Sequence, residues 1–134
     1  MRAALVDTDI LSEFFRGTPK VIENVETYLK TYDAINFSII TYYEILNGLL
    51  YKDAQKQLRR FRDFASFNKI LPLTVSAAEK AAQIFADLRK SGQPIGHTDC
   101  LIAGVALTNG LQIVTNNTDH FKRIKGLEII NWLK

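Results

Sequence analysis

An α/β domain built on a mostly parallel sheet is what the chain predicts, on three observations. Short apolar stretches such as Ala3 to Val6 and Gln112 to Thr115 alternate with longer segments of helical spacing. The 134 residues suffice for one domain with a real core (1–134) and are too few for two ordinary ones. One segment, Asp99 to Leu107, is apolar on nearly every side, as expected of a helix packed between other elements. Four to five short strands flanked by helices are therefore expected.

Ala3 to Val6 reads as a buried strand ending in Asp7-Thr8-Asp9. Ile10, Leu11, Phe14 and Phe15 follow at helical spacing, so the strand passes straight into a helix. Gly17-Thr18-Pro19 closes that helix, and Pro19 suits the start of the next, whose stripe is Val21, Ile22, Val25, Tyr28 and Leu29. Ala34 to Phe37 is a second strand with Ser38 at its exit. Thr41 to Glu44 matches a Thr-x-x-Glu capping box, and Ile45, Leu49 and Leu50 continue the helical face. Asp53 to Phe67 is a further helix, with Leu58, Phe61, Phe64, Ala65 and Phe67 facing inward. Ile70 to Leu73 is extended, and Ser76 to Glu79 is a second capping-box match opening an Ala-rich helix to about Lys90. Gln93-Pro94 and Gly96 then lead to Thr98, placed to cap the apolar helix, which Asn109-Gly110 ends. Gln112 to Thr115 is a strand and Asn116 to Asp119 a polar loop. A helical turn over Asp119 to Ile124 and a last strand over Leu127 to Asn131 close the chain.

Apolar residues at 47% and charged residues at 23% exclude disordered and fibrous classes. No apolar run approaches the roughly 20 residues of a membrane span, and the N-terminus lacks a signal-peptide pattern. The single cysteine, Cys100, falls in the core helix and cannot form an internal disulfide, which fits a cytoplasmic protein. A net charge of +3 and pI ≈ 9.0 permit a nucleic-acid partner without demanding one.

Ligand crevices in parallel α/β sheets lie outside the C-terminal ends of the strands. Asp7 ends the first strand, Glu44 enters the helix after the second, Asp99 opens the core helix and Asp119 follows the fourth strand. All four are thus read onto one sheet edge, although each alone could be a helix cap or loop acid. Gathered carboxylates repel unless a positive charge sits among them, and the usual solution is a hard divalent cation, Mg²⁺ or Mn²⁺. Asp7 and Asp99, short side chains on element ends, suit direct ligation; Glu44 suits a second position. His97 and His120 read as solvated loop residues, and Cys100 as a core thiol. No His/Cys spacing suits zinc, and no Gly-rich loop suits a phosphate cradle. The basic run Lys52, Lys56, Arg59, Arg60 and Arg62 suits RNA phosphates, an acidic partner or simply solvent.

These residues resemble a known family. Leu5-Val6-Asp7-Thr8-Asp9-Ile10-Leu11 is similar to the opening of PIN-domain ribonucleases, and Ser38 to Ile45 to their second motif. Pro94 to Ala103 resembles the third motif and Ile113-Val114-Thr115-Asn116-Asn117 the fourth, so the likeness runs in order along nearly the whole chain. Within that family the likeness is greatest to VapC toxins of type II toxin–antitoxin systems. Thr115 to Thr118 and Asn131-Trp132 resemble the branch that cleaves initiator tRNA. The resemblance implies a single PIN-like domain and a Mg²⁺-dependent endoribonuclease, usually a homodimer, restrained by a VapB-type antitoxin. Its metal-site acids fall on Asp7, Glu44 and Asp99, with Thr8, Ser38, Thr115, Asn116 and Asn117 as polar supports. One position departs from the pattern: Asn117 stands where an acid is commoner, and Asp119 is the nearest replacement.

Two other readings compete. Asp7-Thr8-Asp9 after a buried strand also fits the Asp-x-Asp signature of haloacid-dehalogenase-like phosphatases, with Asp7 as nucleophile and Asp9 as general acid. That chemistry needs a downstream lysine and a paired acid, and Asn116-Asn117 stands where the pair belongs. A PIN-like binding module that has lost cleavage is the second alternative.

Overall fold

Ala4, Leu5 and Val6 are buried on both faces, which places their strand at the centre of the sheet. A computed structural model describes residues Met1–Lys134. In chain order the elements are β1 (Ala4–Val6), α1 (Thr8–Phe15), α2 (Pro19–Leu29), β2 (Asn36–Ser38), α3 (Ile39–Tyr51) and α4 (Gln55–Ser66). They continue with β3 (Lys69–Leu71), α5 (Val75–Lys90), α6 (His97–Thr108), β4 (Gln112–Val114), α7 (Thr118–Phe121) and β5 (Ile129–Ile130). The five strands are all parallel in the order β3-β2-β1-β4-β5. The chain first builds away from β1 on one side and then returns to its other side. The gap between β1 and β4 is therefore the switch point where such sheets form their crevice.

Side-chain alternation along β1 divides the core. Leu5 points with Ile113 into a layer made by α5 and α6, through Ala81, Ile84, Ile102 and Val105. Ala4 and Val6 point with Phe37 and Val114 into the opposite layer of α1, α2 and α4, which also buries Trp132. The α5/α6 pair docks very closely: a Cβ on Gly104 would lie 2.4 Å from the carbonyl oxygen of Ala77. Glycine is required there by space, and this contact fixes where the N-terminus of α6 points.

Three helix starts lie elsewhere than expected. The hydroxyl of Ser38, not Thr41, caps α3 by accepting from the Thr41 amide at 3.1 Å. Thr74, not Ser76, caps α5, accepting from Ala77 N at 3.0 Å. α6 begins at His97 from Gly96 with no side-chain cap, so Thr98 is already helical. In each case the residue preceding the first helical turn is extended, and at Ser38 and Thr74 its hydroxyl reaches the amide three residues on, so a match lying inside the turn is not the cap. α4 likewise starts after Asp53, whose φ of 53° breaks the run. Phe67, expected inward, is 83% exposed because it follows the last turn of α4. No helix is long and apolar enough to cross a membrane.

Candidate functional site

Asp7 leaves β1 in an extended conformation and becomes the N-cap of α1, its Oδ1 accepting from Thr8 N at 2.8 Å. Its Oδ2 accepts from the Thr115 hydroxyl at 2.8 Å, and its amide donates to Val114 O at 2.9 Å. The carboxyl is thus locked across the β1/β4 switch point at 4% exposure. Burial above all, then the neighbouring Asp9 charge and further off that of Asp99, pushes its pKa from 3.8 to about 7 against the pull of Thr115 and Thr8.

Asp9, in the first turn of α1, accepts from Ile10 N at 2.7 Å and from Asn116 N at 3.0 Å. It ties the loop after β4 to the first helix, and burial raises its pKa as well. Asp99, in the first turn of α6, accepts at Oδ2 from Asn117 Nδ2 at 3.2 Å, with His120 Nδ1 at 3.0 Å from the same oxygen.

Glu44 is reached through a file of hydroxyls. Thr8 Oγ1 donates to Glu44 Oε1 at 2.6 Å and lies 2.9 Å from Thr41 Oγ1. A hydroxyl carries one proton, so with that of Thr8 committed to Glu44, Thr41 is the donor to Thr8. Ser38 Oγ stands 3.4 Å behind Thr41 Oγ1 and completes a file in which each proton points toward the carboxylate. Glu44 is accordingly tied to α1 through the Thr8 hydroxyl and is not the reciprocal half of a capping box.

The remaining expected site residues divide. Thr8, Thr115 and Asn117 touch the acids, whereas Ser38 acts from behind Thr41. Asn116 contributes its backbone amide to Asp9, while its side-chain oxygen accepts from Asn131 Nδ2 at 3.0 Å. Asp119 does not join the acids: it is 79% exposed and paired with Lys122 Nζ at 3.2 Å on its own turn. His120, the next residue, faces inward instead and pairs with Asp99. Asp9, Thr41 and His120 are the three residues of this cluster that the sequence did not assign to the nuclease site. The Asn117-x-x-His120 spacing, which puts both on one face of a turn, was the available signal. His97 stacks on Phe85 with ring centroids 4.0 Å apart, away from the acids. Burial chiefly, and also the Asp99 charge, pushes the Cys100 thiol upward, as for an inert core residue.

No lysine or arginine pairs with Asp7, Asp9, Glu44 or Asp99; the ion pairs are Arg2–Glu128, Arg16–Glu13, His120–Asp99 and Lys122–Asp119. Four carboxyls with oxygen donors only and one imidazole as partner fit a hard divalent cation. As placed, no three of the acid, imidazole and thiol groups close into a coordination shell. That suits an ion bound by one or two carboxylates that keeps several waters. Beside the acids runs a groove of about 470 Å³ between α1, α3 and α4, reaching from Thr8 and Glu44 to Arg16, Lys52 and Arg60. Phe15 and Phe61, ring centroids 5.7 Å apart, stand among its lining residues.

Residues 4–127 match the family model described as PIN domain. The chain is also 31% identical, over 96% of its own length and 96% of the other, to the tRNA(fMet)-specific endonuclease VapC of Shigella flexneri. The chain belongs to the PIN-domain family, in its VapC branch. A tRNA(fMet)-specific endonuclease VapC of Salmonella typhimurium is 38% identical over 71% of this chain and 73% of that protein. Among solved structures, DNA-bound VapBC from Salmonella typhimurium superposes with a TM-score of 0.87 at 31% identity, covering 98% of this chain and 99% of that one. VapBC2 from Rickettsia felis, bound to a promoter DNA fragment, also gives 0.87, at 26% identity over 97% and 98%. VapC membership makes the chain a nuclease and does not favour the phosphatase reading. Asp9 in that reading would be a proton donor, yet both its oxygens are engaged by backbone amides.

Proposed function

We propose that this VapC-family nuclease is a divalent-metal-dependent endoribonuclease. It acts on tRNA in the cytoplasm as the toxin of a VapBC-type pair, as a homodimer held by a cognate VapB-type antitoxin. The observation that carries the metal reading is the gathering of Asp7, Asp9, Glu44 and Asp99 at the β1/β4 switch point with no lysine or arginine among them. Nothing in folding requires that arrangement, and burial makes it costly without a cation. For substrate and partner, the support is the printed names of relatives: endonucleases specific for tRNA(fMet) and solved VapBC complexes.

Asp7 and Asp99 would hold the ion, Mg²⁺ or Mn²⁺, with Glu44 beside them. When bound, the ion supplies a water of lowered pKa and offsets charge on the phosphodiester. The chain's own residues do the rest. Thr115 and Thr8 N hold both oxygens of Asp7 in place, and the Thr41–Thr8 file holds Oε1 of Glu44 against α1. Arg16, Lys52 and Arg60 border the groove that opens at Thr8 and Glu44, so a phosphate backbone lying there is held against the acids.

Cleavage of total cellular RNA by the purified protein, with Mg²⁺ or Mn²⁺ against EDTA, tests this directly. Discrete fragments are expected that require metal and are lost in Asp7→Asn and Asp99→Asn, with tRNA as the cut species and 5′-phosphate ends. Fragments that persist in EDTA, or in both variants, would overturn the metal assignment.

A further inference from the structure

The corner of the site where Asn117 replaces the commoner acid is not vacant of chemistry, because His120 stands there. Its Nδ1 lies 3.0 Å from Asp99 Oδ2 and 2.8 Å from Asn117 Nδ2, and Asn117 Nδ2 lies 3.2 Å from the same Oδ2. Imidazole, amide and carboxylate thus form a closed triangle on one oxygen atom. Nδ1 carries either one proton or one lone pair, so it serves one neighbour at a time. With the proton it donates to Asp99 directly. With the lone pair it accepts from Asn117 and turns the amide's N–H end toward Asp99. Either arrangement fixes the same oxygen, whereas Asp99 Oδ1 has no protein partner.

We propose that His120 is a positioning residue: through Nδ1, together with Asn117, it pins Oδ2 of Asp99 so that Oδ1 is the oxygen presented to a divalent cation. The inference rests on the metal-dependent reading given above. Asp99 needs such a clamp because its side chain is 21% exposed and otherwise free to turn. His120 can provide it because its own backbone is fixed. His120 N and Phe121 N both bond to Asn117 O, at 3.3 and 3.4 Å, and the Phe121 ring beside it is fully buried. The clamp is also linked to the other ligand. Asn117 N donates at 2.9 Å to Thr115 Oγ1, the hydroxyl that donates to Asp7. One short loop, Thr115 to His120, therefore sets the directions of both Asp7 and Asp99.

The test is Mn²⁺ binding by the purified full chain, read by the loss of the free-ion paramagnetic resonance signal, in wild type and three variants. His120→Ala is expected to weaken Mn²⁺ binding about 10-fold or more, the range for loss of a partner behind a metal ligand. His120→Asn, whose amide sits where Nδ1 does, is expected to recover most of that loss. His120→Gln, whose amide sits where Nε2 does, is expected not to. Cleavage should follow in kind: His120→Ala lowers kcat at limiting Mn²⁺, regains it with excess Mn²⁺, and leaves the KM for RNA unchanged. The melting temperature of the metal-free protein serves as the folding control, and a half-exposed His120 should leave it near wild type. Unchanged Mn²⁺ binding in His120→Ala, or rescue by Gln as good as by Asn, would overturn the clamp alone. A wild type that binds no Mn²⁺ would overturn the metal reading and the clamp together.

Discussion

Asp7 and Asp99 are the same side chain in nearly the same setting, each at the start of a helix bordering the β1/β4 gap, yet they are held in opposite ways. Asp7 is locked by its immediate surroundings: the next backbone amide and a hydroxyl from the adjacent strand occupy its two oxygens, and little solvent reaches it. Asp99 stands on a helix whose first turn has no side-chain cap, about a fifth exposed to solvent, and is steadied at one oxygen by Asn117 and His120 from a separate turn. Rigidity at the first corner comes from the sheet. At the second it comes from the docking of α6 on α5 and from a two-residue clamp. A metal site built from one buried acid and one adjustable acid can tolerate the ion's own demands at a single corner.

Asp7→Asn gives the largest expected effect that separates the corners. In the folded chain Asp7 keeps its proton up to about pH 7, whereas the unfolded chain releases it near 3.8. Between those values the folded state binds more protons, so metal-free stability contributed by this group is full below pH 4 and falls as pH rises to about 7. At 1.36 kcal/mol per unit the penalty above pH 7 is at most about 4 kcal/mol. Asp7→Asn should therefore be the more stable protein at pH 8 without metal, and equal to wild type at pH 4. Added Mn²⁺ should raise the melting temperature of wild type and not that of the variant. A wild-type stability that climbs from pH 4 to 7 relative to Asp7→Asn would contradict the burial argument.

Gly104→Ala probes the other corner from a distance. Its Cβ would meet the Ala77 carbonyl at 2.4 Å, so α5 and α6 must part. Overpacking strain of about 3 kcal/mol, offset by about 1 from better helix propensity, should lower the chemical-denaturation midpoint. Because α6 carries Asp99, metal affinity should fall in the fraction that remains folded. The smallest effect is expected of Asp119→Asn. This exposed residue meets only Lys122, so RNA cleavage and melting temperature should both match wild type. A loss of cleavage there would return Asp119 to the acidic pocket and displace His120 from it.

Much of this was legible in the sequence, and the exceptions share a cause. Asp7, Glu44 and Asp99 could be placed because each follows or opens an element whose period is plain, and strand polarity does the rest. Helix starts at Ser38, Thr74 and Gly96 were each misplaced by a few residues, because several nearby residues had capping chemistry and only backbone conformation selects among them. Asp119 and His120 were exchanged in role for a similar reason. Neighbours on a helical turn point about 100° apart, and the sequence of a four-residue turn does not state its phase. Burial of Phe121 fixes that phase, turning His120 toward Asp99 and leaving Asp119 to solvent.

What the sequence determined by itself, then, was the alternation of elements, the parallel sheet that alternation demands, and the edge on which the acids collect. These follow from hydrophobic period and chain direction, which are local properties. The partners of each acid belonged to tertiary structure alone. Asp9 with Asn116, Thr8 with Glu44, and His120 with Asp99 join residues far apart in the chain. Such contacts are set by side-chain directions and ångström-scale separations, which exist only once β1, β4, α3 and α6 have packed around a common edge.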